Sequence, residues 1–387
     1  MTTSRSFTSV VPRRRASFLP PDGRARVVPI GGHSTQPPAA AQASRPDLQF
    51  VAQDVRPFLA DTIEAEKQTW TDIGAPWHGV LEAFEDFIDG GKWLRPRFCY
   101  WGFESVGGRS STSDLVRACA ALELLHAFAL IHDDIMDQSD SRRGRPSLHR
   151  HFEGEHRDAD WSGSAQQHGS ATALLAGDVA FALACRLAAE LPSGVRSLWG
   201  RLVSELLAGQ YLDLVGTARQ ERSAHLARTI SRLKSGRYTV AGPLLLGAAL
   251  AGVAPDPALE PFGELIGESF QLRDDLLGVF GDSTTTGKPV GDDIRSGKPT
   301  VVLATAEWLM PAGDVELLAR LGQPDLTEGE ITEITAAIDR CGARAQVESR
   351  IQANVRRALV LLESADLTAT VRNALAGLAV AASNREL

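Results

Sequence analysis

The sequence has few of the residues that build disulfide frameworks or zinc sites. Four cysteines (Cys99, Cys119, Cys185, Cys341) are spread over 387 residues and form no CxxC pair. That spacing argues against both kinds of site and suits the reducing cytoplasm, so we expect a cytoplasmic protein. A hydrophobic content of 43% is enough for a sizeable core without such cross-links.

The sequence also lacks a long apolar run. Its longest uncharged apolar stretch, YTVAGPLLLGAALAGVA (238–254), contains Pro243 and several glycines. It is shorter than the ~20 residues that a spanning helix needs. We therefore expect no membrane span and interpret this stretch as a buried helix.

Positive charge is scarce outside the N-terminal region. Residues 1–46 hold seven arginines and one acidic residue, which leaves +6 there and, against a total of −8, −14 on the rest. An acidic body is a poor partner for nucleic acid. If this protein binds an anionic substrate, local metal ions or local basic clusters must hold it.

Alternation of period two is scarce, whereas apolar residues recur every three or four positions from residue 47 onward. This pattern predicts an all-α, single-domain bundle of about ten or more helices over residues 47–387. Residues 1–46 are rich in Arg, Pro and Ser without periodicity, which predicts a disordered tail.

An acidic run ends one of the apolar helices, in LIHDDIMDQSDSRRGRPSLH (130–149). Asp133 and Asp137 stand four residues apart and share a helix face, with Asp134 one step round. Carboxylates at the end of an apolar helix repel one another unless a cation neutralises them. Their hard oxygen ligands suit Mg²⁺, which readily bridges to phosphate oxygens.

A second acidic pair, Asp274 and Asp275, lies in FQLRDDLLGVFGD, with Asp282 shortly after it. Two acid-bearing helices that face each other across a bundle would line a metal site from both sides. Basic residues lie in GGKWLRP, DSRRGRP, RLKSGRYT and GKPVGDDIRSGKPT. Arginine forks and lysine point charges are what a diphosphate needs beside its metal ions.

Taken together, these motifs resemble the trans-isoprenyl diphosphate synthases (polyprenyl synthetase family), in particular actinobacterial geranylgeranyl diphosphate synthases. The resemblance covers about residues 50–387, and eight motifs occur in family order: GGKWLRP, ELLHAFALIHDDIMD, DSRRGRPSLH, LLAGD, GQYLDL, LKSGRYT, FQLRDDLLGVFGD and GKPVGDDIRSGKPT. It implies helices around a central apolar cavity (isoprenoid synthase type), three Mg²⁺ ions, for which Mn²⁺ can substitute, and a homodimer. The implied substrates are isopentenyl diphosphate and an allylic diphosphate, namely dimethylallyl, geranyl or farnesyl diphosphate.

The resemblance also implies roles for individual positions. The implied metal ligands are Asp133, Asp134, Asp137, Asp274 and Asp275. The implied isopentenyl diphosphate site is Lys92, Arg95, His126 and Arg143. The implied allylic diphosphate site is Arg142, Lys234, Ser235, Gln271, Lys288 and Lys298. Among these, the five aspartates, Arg142 and Lys234 are the expected catalytic residues.

The chain departs from the family pattern at two positions. Gly278 stands where the second acidic motif often ends in aspartate, and Asp282 could substitute for the missing carboxylate, directly or through water. Ser235 replaces a common threonine and keeps the hydroxyl.

Two residues before the first acidic motif are expected to influence product length. Ala129 lies on nearly the same helix face as Asp133, about 6 Å below it, and its small side chain leaves the pocket open. Phe128 points further round and narrows the pocket only in part. This combination resembles synthases that make the twenty-carbon product, and Phe128→Ala is predicted to lengthen it.

Three alternatives remain open from the sequence. A class I terpene cyclase shares an aspartate-rich helix but needs no isopentenyl diphosphate site. A non-catalytic regulatory subunit of a prenyl synthase is hinted at by Gly278 alone. A metal phosphohydrolase built on the IHDD segment would leave the glycine-lysine and arginine motifs unexplained.

Overall fold

Helices make up nearly all of the regular structure, as the periodicity predicts. The computed structural model describes residues 45–108, 112–281 and 291–384. Its α-helices are α1 (Pro46–Phe50), α2 (Arg56–Thr69), α3 (Ala75–Ile88), α4 (Leu94–Ser105), α5 (Thr112–Met136), α6 (Leu148–Asp158), α7 (Ala165–Ala189), α8 (Ser193–Ala218), α9 (Ala224–Ile230), α10 (Gly242–Leu250), α11 (Leu259–Phe280), α12 (Asp292–Ser296), α13 (Val301–Leu309), α14 (Glu328–Arg340), α15 (Ala343–Ser364) and α16 (Ala369–Ser383). The prediction of an all-α fold with ten or more helices is confirmed.

Four short helical segments and one hairpin complete the described elements. Val51–Val55 and Ser231–Ala241 are π-helical, and Thr71–Ile73 and Val315–Arg320 are 3₁₀ helices. We call Ser231–Ala241 the π segment. Strands β1 (Ser141–Arg142) and β2 (Arg145–Pro146) pair antiparallel in a two-residue hairpin.

Helix α5 is the central element, because it is buried on nearly every side. It packs against α4 and α7, and α6 contacts both α7 and α5. Its buried side chains, such as Leu122 and Leu125, join the largest of three apolar clusters, which spans α2, α4, α5, α7 and α8. A second cluster joins α11 to α13–α15, and a third joins α4, α10, α11 and α16.

The helical bundle begins at the N-terminal end of the described residues. The compact unit that holds the bundle is Ser44–Leu387, and α1 begins at Pro46. The predicted tail at residues 1–46 lies almost wholly outside the described residues, so it stays a prediction.

Two helices are long and apolar enough to cross a membrane by length and composition, namely α5 and α7. The most apolar window of α5 is 67% buried inside the protein, and that of α7 is 44% buried. Since each packs against the other within the bundle, both read as core helices. The four cysteines are free thiols.

Candidate active site

A cavity of about 920 Å³ opens between α4, α5, α8, α11 and the π segment. Both predicted acidic walls reach it, Asp133 from α5 and Asp274 and Asp275 from α11. The other predicted site residues that line it are Lys92, Arg95, His126, Ala129, Arg142, Arg143, Lys234, Ser235, Gln271 and Lys298. The structure thus brings most of the predicted set to one place.

Three predicted residues lie beside the cavity and do not line it. Asp134 and Asp137 are turned toward basic side chains, and Phe128 packs against Phe181 of α7, with ring centroids 4.8 Å apart. Lys288 and Asp282 lie outside the described residues, so their roles stay predictions.

The first acidic wall stands at the C-terminal end of α5. The helix ends at Met136, and the chain turns away at Gln138, whose φ of 54° lies in the left-handed region. The Ser139 N–H closes the turn by donating to the Asp134 carbonyl oxygen at 2.9 Å. The C-terminus of a helix carries partial negative charge. Carboxylates there gain nothing from the backbone, so cations must stabilise them.

Two lysines supply that charge to the first wall. Lys234 Nζ donates to Asp133 Oδ1 at 2.8 Å and to Asp213 Oδ2 at 2.6 Å, and Lys298 Nζ donates to Asp137 Oδ2 at 2.5 Å. Burial raises the pKa of Asp133, but Lys234 and Lys298 outweigh it and hold that pKa well below its usual range. Burial and the charge of Asp133 raise the pKa of Asp137. The two carboxylates therefore differ in how readily they ionise.

Asp134 pairs with an arginine and does not face the cavity. Its side chain is buried, and its two oxygens accept from Arg142 Nε at 2.6 Å and Arg142 Nη2 at 2.5 Å. This two-point pair fixes the guanidinium plane. In this arrangement Asp134 positions Arg142, and a ligand role for Asp134 would require the pair to separate.

The hairpin β1–β2 places both arginines of the Arg-Arg pair. Arg143 and Gly144 form its two-residue turn with φ of 54° and 75°, values typical of a type I′ turn. A non-glycine residue in this region costs roughly 1 kcal/mol. The turn directs Arg142 toward α5 and places the Arg143 guanidinium against Gly91. A Cβ added to Gly91 would lie 3.1 Å from Arg143 Nη2.

The second acidic wall is fixed by neighbours of Asp275. Gln271 Nε2 donates to Asp275 Oδ1 at 2.7 Å, and the Val301 N–H, at the start of α13, donates to Oδ2 at 3.1 Å. Burial, reinforced by the charge of Asp293, raises the pKa of Asp275 to about 7. Gln271 therefore orients a carboxylate, in addition to lining the cavity as predicted.

A basic group lies on the α4 side of the cavity. Arg95 Nη2 donates to the Tyr238 hydroxyl at 2.6 Å and to Thr239 Oγ1 at 2.9 Å, and its guanidinium lies 4.2 Å from the Tyr238 ring centroid. His126 Nδ1 lies 2.6 Å from the same hydroxyl. The Tyr238 hydroxyl therefore contacts both Arg95 and His126. Tyr238 thus links the two residues predicted for one diphosphate.

Sequence reasoning missed several cavity residues, although some lie in motifs that it quoted. Gln210 and Asp213 belong to GQYLDL, and Gln210 Nε2 donates to Asp133 Oδ1 at 3.0 Å. Tyr238 belongs to LKSGRYT. Glu123 precedes His126 by three residues and so shares its helix face. Burial raises the pKa of Glu123 to about 7, against the opposing charges of Arg95 and Arg143.

The donor set fits a divalent metal ion that is shared with a substrate. Every acidic side chain on the two walls offers oxygen ligands, which Mg²⁺ prefers. Among the described residues, no three Asp, Glu, His or Cys side chains converge on one point. Mg²⁺ is usually held by one or two carboxylates plus substrate phosphates. The walls therefore suit ions whose coordination a diphosphate completes.

Comparison with known proteins agrees with this geometry. The sequence pattern of the polyprenyl synthetase family matches residues 78–338. A short chain isoprenyl diphosphate synthase from Methanothermobacter thermautotrophicus is 33% identical over 79% of this chain and 90% of its own length. A geranylfarnesyl diphosphate synthase from Aeropyrum pernix is 32% identical over 70% of this chain and 83% of its own.

The fold matches solved structures as well. A geranylgeranyl pyrophosphate synthase from Corynebacterium glutamicum, complexed with isoprenyl diphosphate and magnesium, superposes with a TM-score of 0.82 at 36% identity. The match covers 88% of this chain and 99% of that one. Proteins of different product length thus share similar identity with this chain.

Proposed function

The chain belongs to the polyprenyl synthetase family and is a trans-isoprenyl diphosphate synthase, and on that premise we propose that it makes geranylgeranyl diphosphate. It would join isopentenyl diphosphate head to tail with an allylic diphosphate. The observation that carries this proposal is that one cavity is lined by the acidic walls of α5 and α11 together with basic residues. Purified protein supplied with isopentenyl diphosphate and each allylic primer, with product length measured, tests it.

The residues nearest the acidic walls would hold the allylic diphosphate. Lys234, Lys298 and Arg142 lie at the walls and carry positive charge into a buried site. Mg²⁺ ions, held by Asp133, Asp274 and Asp275, and by Asp137 once its pair with Lys298 separates, would supply further positive charge to the departing diphosphate. Preorganised charge in a water-excluded cavity is worth more than the same charge in water. The lysines and Arg142 would thus favour departure of the diphosphate.

The group on the α4 side would hold the second substrate. Arg95, His126, Lys92 and Arg143 line the same cavity as the lysines, and Arg95 is fixed by Tyr238. A diphosphate bound there would leave the double bond of isopentenyl diphosphate facing the allylic carbon. Attack by that double bond forms the new carbon–carbon bond, and loss of a proton to the released diphosphate restores the alkene.

The twenty-carbon product is supported by Ala129, whose methyl group lines the cavity below Asp133. A small residue there leaves room for a growing chain. Phe128 packs against Phe181 and His132, so its ring stands beside this space. The magnesium-bound relative from C. glutamicum is a geranylgeranyl pyrophosphate synthase, which agrees with this length.

A class I terpene cyclase and a regulatory subunit make different predictions. The cyclase would need no second cationic group, yet Arg95 and His126 line the same cavity as the acidic walls. Incubation with an allylic diphosphate alone separates the readings: cyclised hydrocarbon without isopentenyl diphosphate would support the cyclase. Absence of turnover with Mg²⁺ and any primer would support the regulatory subunit.

The chain is also proposed to form a homodimer through α7 and α8. Leu174 and Leu175 on α7, and Leu207 and Tyr211 on α8, are exposed. These residues of α7 and α8 lie near the same end of α5. On α5, His132 contacts the Leu174 carbonyl of α7, and Met136 contacts Gln210 of α8. Exposed apolar patches of this kind mark association sites. A second copy of the chain is the proposed occupant.

A further inference from the structure

Position 278 on α11 is filled by a neighbouring carboxylate instead of by its own side chain. A Cβ on Gly278 would come within 2.2 Å of Asp293 Oδ2, 2.5 Å of its Cγ and 2.9 Å of its Oδ1. The whole carboxylate of Asp293 therefore lies over the Cα of Gly278. Glycine inside a helix costs roughly 0.5–1 kcal/mol relative to alanine, so a close approach of this kind gives it a purpose.

The short helix α12 holds Asp293 in this place. Two glycines in the left-handed region bound the helix, Gly291 with φ of 74° and Gly297 with φ of 66°. The Lys298 N–H donates to the Asp293 carbonyl oxygen at 3.2 Å, so both residues belong to one folded unit. The Lys298 ammonium of this unit forms an ion pair with Asp137 on α5. Asp293 is thus coupled to both acidic walls.

Asp293 and the α11 acids face one space. Asp274, Asp275 and Asp293 all line the cavity, and Asp293 is only 9% exposed. Burying several carboxylates together costs several kcal/mol per charge unless cations or metal ions offset it. A divalent ion at this wall would offset the buried charge of Asp293 as it offsets the charges of Asp274 and Asp275.

We propose that Asp293 supplies the third carboxylate of the second acidic wall, in place of a side chain at position 278. It acts on the divalent ion directly or through one water molecule. The proposal deepens the function proposed above and rests on it. It assigns to α12 a part that the sequence pattern places on α11.

The test is metal binding without turnover. Mn²⁺ is titrated into the full chain in the presence of inorganic diphosphate, and free Mn²⁺ is followed by electron paramagnetic resonance. Asp293→Asn keeps the shape and removes the charge, so we expect Mn²⁺ affinity to fall about ten-fold or more. Glu333→Gln, at an exposed site on α14, is the charge-matched control and should bind like the parent chain.

A double variant that moves the carboxylate from position 293 to position 278 tests whether Asp293 replaces a side chain on α11. Gly278→Asp alone should bind poorly, because the new side chain collides with Asp293. The double variant Gly278→Asp/Asp293→Gly clears that collision and returns a carboxylate from α11. We expect it to regain Mn²⁺ affinity to within about three-fold of the parent, well inside the loss expected of a removed ligand.

Two results would overturn the assignment: parental Mn²⁺ affinity in Asp293→Asn, or no recovery in the double variant while circular dichroism shows an intact helical fold. Failure of the proposed function looks different. In that case the parent chain itself neither binds Mn²⁺ with diphosphate nor transfers prenyl groups.

Discussion

At the residue scale, Glu123 is a buried carboxyl close to three ionisable groups, Arg95, Arg143 and Tyr238. Its Oε1 has no hydrogen-bond partner within the described part of the chain. Desolvation by burial disfavours its ionised form. The cavity thus contains a group that changes its charge near neutral pH.

We predict that Glu123→Gln changes the pH dependence of stability. The pKa of Glu123 rises from 4.5 to about 7 on folding, so its stabilising contribution is present below pH 4.5 and is lost as pH rises through 7. Glutamine removes that loss. The free energy of unfolding of the variant minus that of the parent should rise by at most about 3 kcal/mol between pH 4.5 and 8.

Urea denaturation at a series of pH values measures this difference. A difference that stays constant with pH, or that falls, would show that Glu123 is ionised throughout in the folded protein.

Ala129 gives a second prediction at the residue scale. Phenylalanine at this position would project into the cavity below Asp133, so Ala129→Phe should shorten the main product, from the proposed twenty carbons to fifteen. Phe128→Ala should lengthen it, because removing the ring from Phe181 opens space between α5 and α7. Chromatography of the dephosphorylated products measures both. An unchanged length in either variant removes that residue from control of chain length.

At the element scale, the π segment depends on glycines of its neighbours. A Cβ on Gly209 of α8 would come within 2.4 Å of the Lys234 nitrogen, and a Cβ on Gly267 of α11 within 2.4 Å of the Gly236 carbonyl oxygen. Backbone atoms cannot move aside as a flexible side chain can. The glycines therefore set how deeply Lys234 reaches toward Asp133.

We predict that Gly267→Ala displaces the π segment. Overpacking of this kind costs roughly 1–3 kcal/mol, and prenyl transfer should fall as well because Lys234 moves from Asp133. Gly79→Ala on α3 is the matched control, since nothing lies within 4 Å of its Cβ. That control should gain about 0.5–1 kcal/mol. Denaturant unfolding and initial rates measure both; equal stability of the two variants would contradict the account.

Elements show how far the sequence predicts this molecule. The periodicity of apolar residues predicts the helices, and the spacing of residues along α5 predicts the place of Asp133 beside the cavity. Both predictions depend only on local helix geometry. The sequence could not show that Arg142 of the hairpin would pair with Asp134 of α5, or that Asp293 would lie over Gly278. Each of these contacts joins residues of separate elements. Gln210 and Asp213 lay within a quoted motif, but their pairing with Asp133 and Lys234 depends on the packing of α8 against the π segment.

At the scale of the whole molecule, the exposed faces of α7 and α8 predict association. Leu175→Glu together with Leu207→Glu should convert a dimer to a monomer, because charges would replace apolar contacts at the proposed interface. Val360→Glu on α15 is the control, since Val360 is also exposed but lies on another helix. Light scattering after size exclusion measures the mass. A parent chain that is already monomeric, or a dimer that survives both charges, would contradict the proposal.

The central claim concerns the two acidic walls as a unit. They face one cavity, Lys234 and Lys298 pair with the first of them, and the proposed catalysis needs divalent ions on both. Asp133→Asn should therefore lower the turnover number about a hundred-fold or more, as removal of a group that stabilises a transition-state charge does.

The most direct measurement is incorporation of isopentenyl diphosphate into product, with and without divalent metal. The purified chain with farnesyl diphosphate should form product in Mg²⁺, form none after chelation by EDTA, and recover when Mg²⁺ is restored in excess. Equal rates of carbon–carbon bond formation in Mg²⁺ and in EDTA would contradict the account.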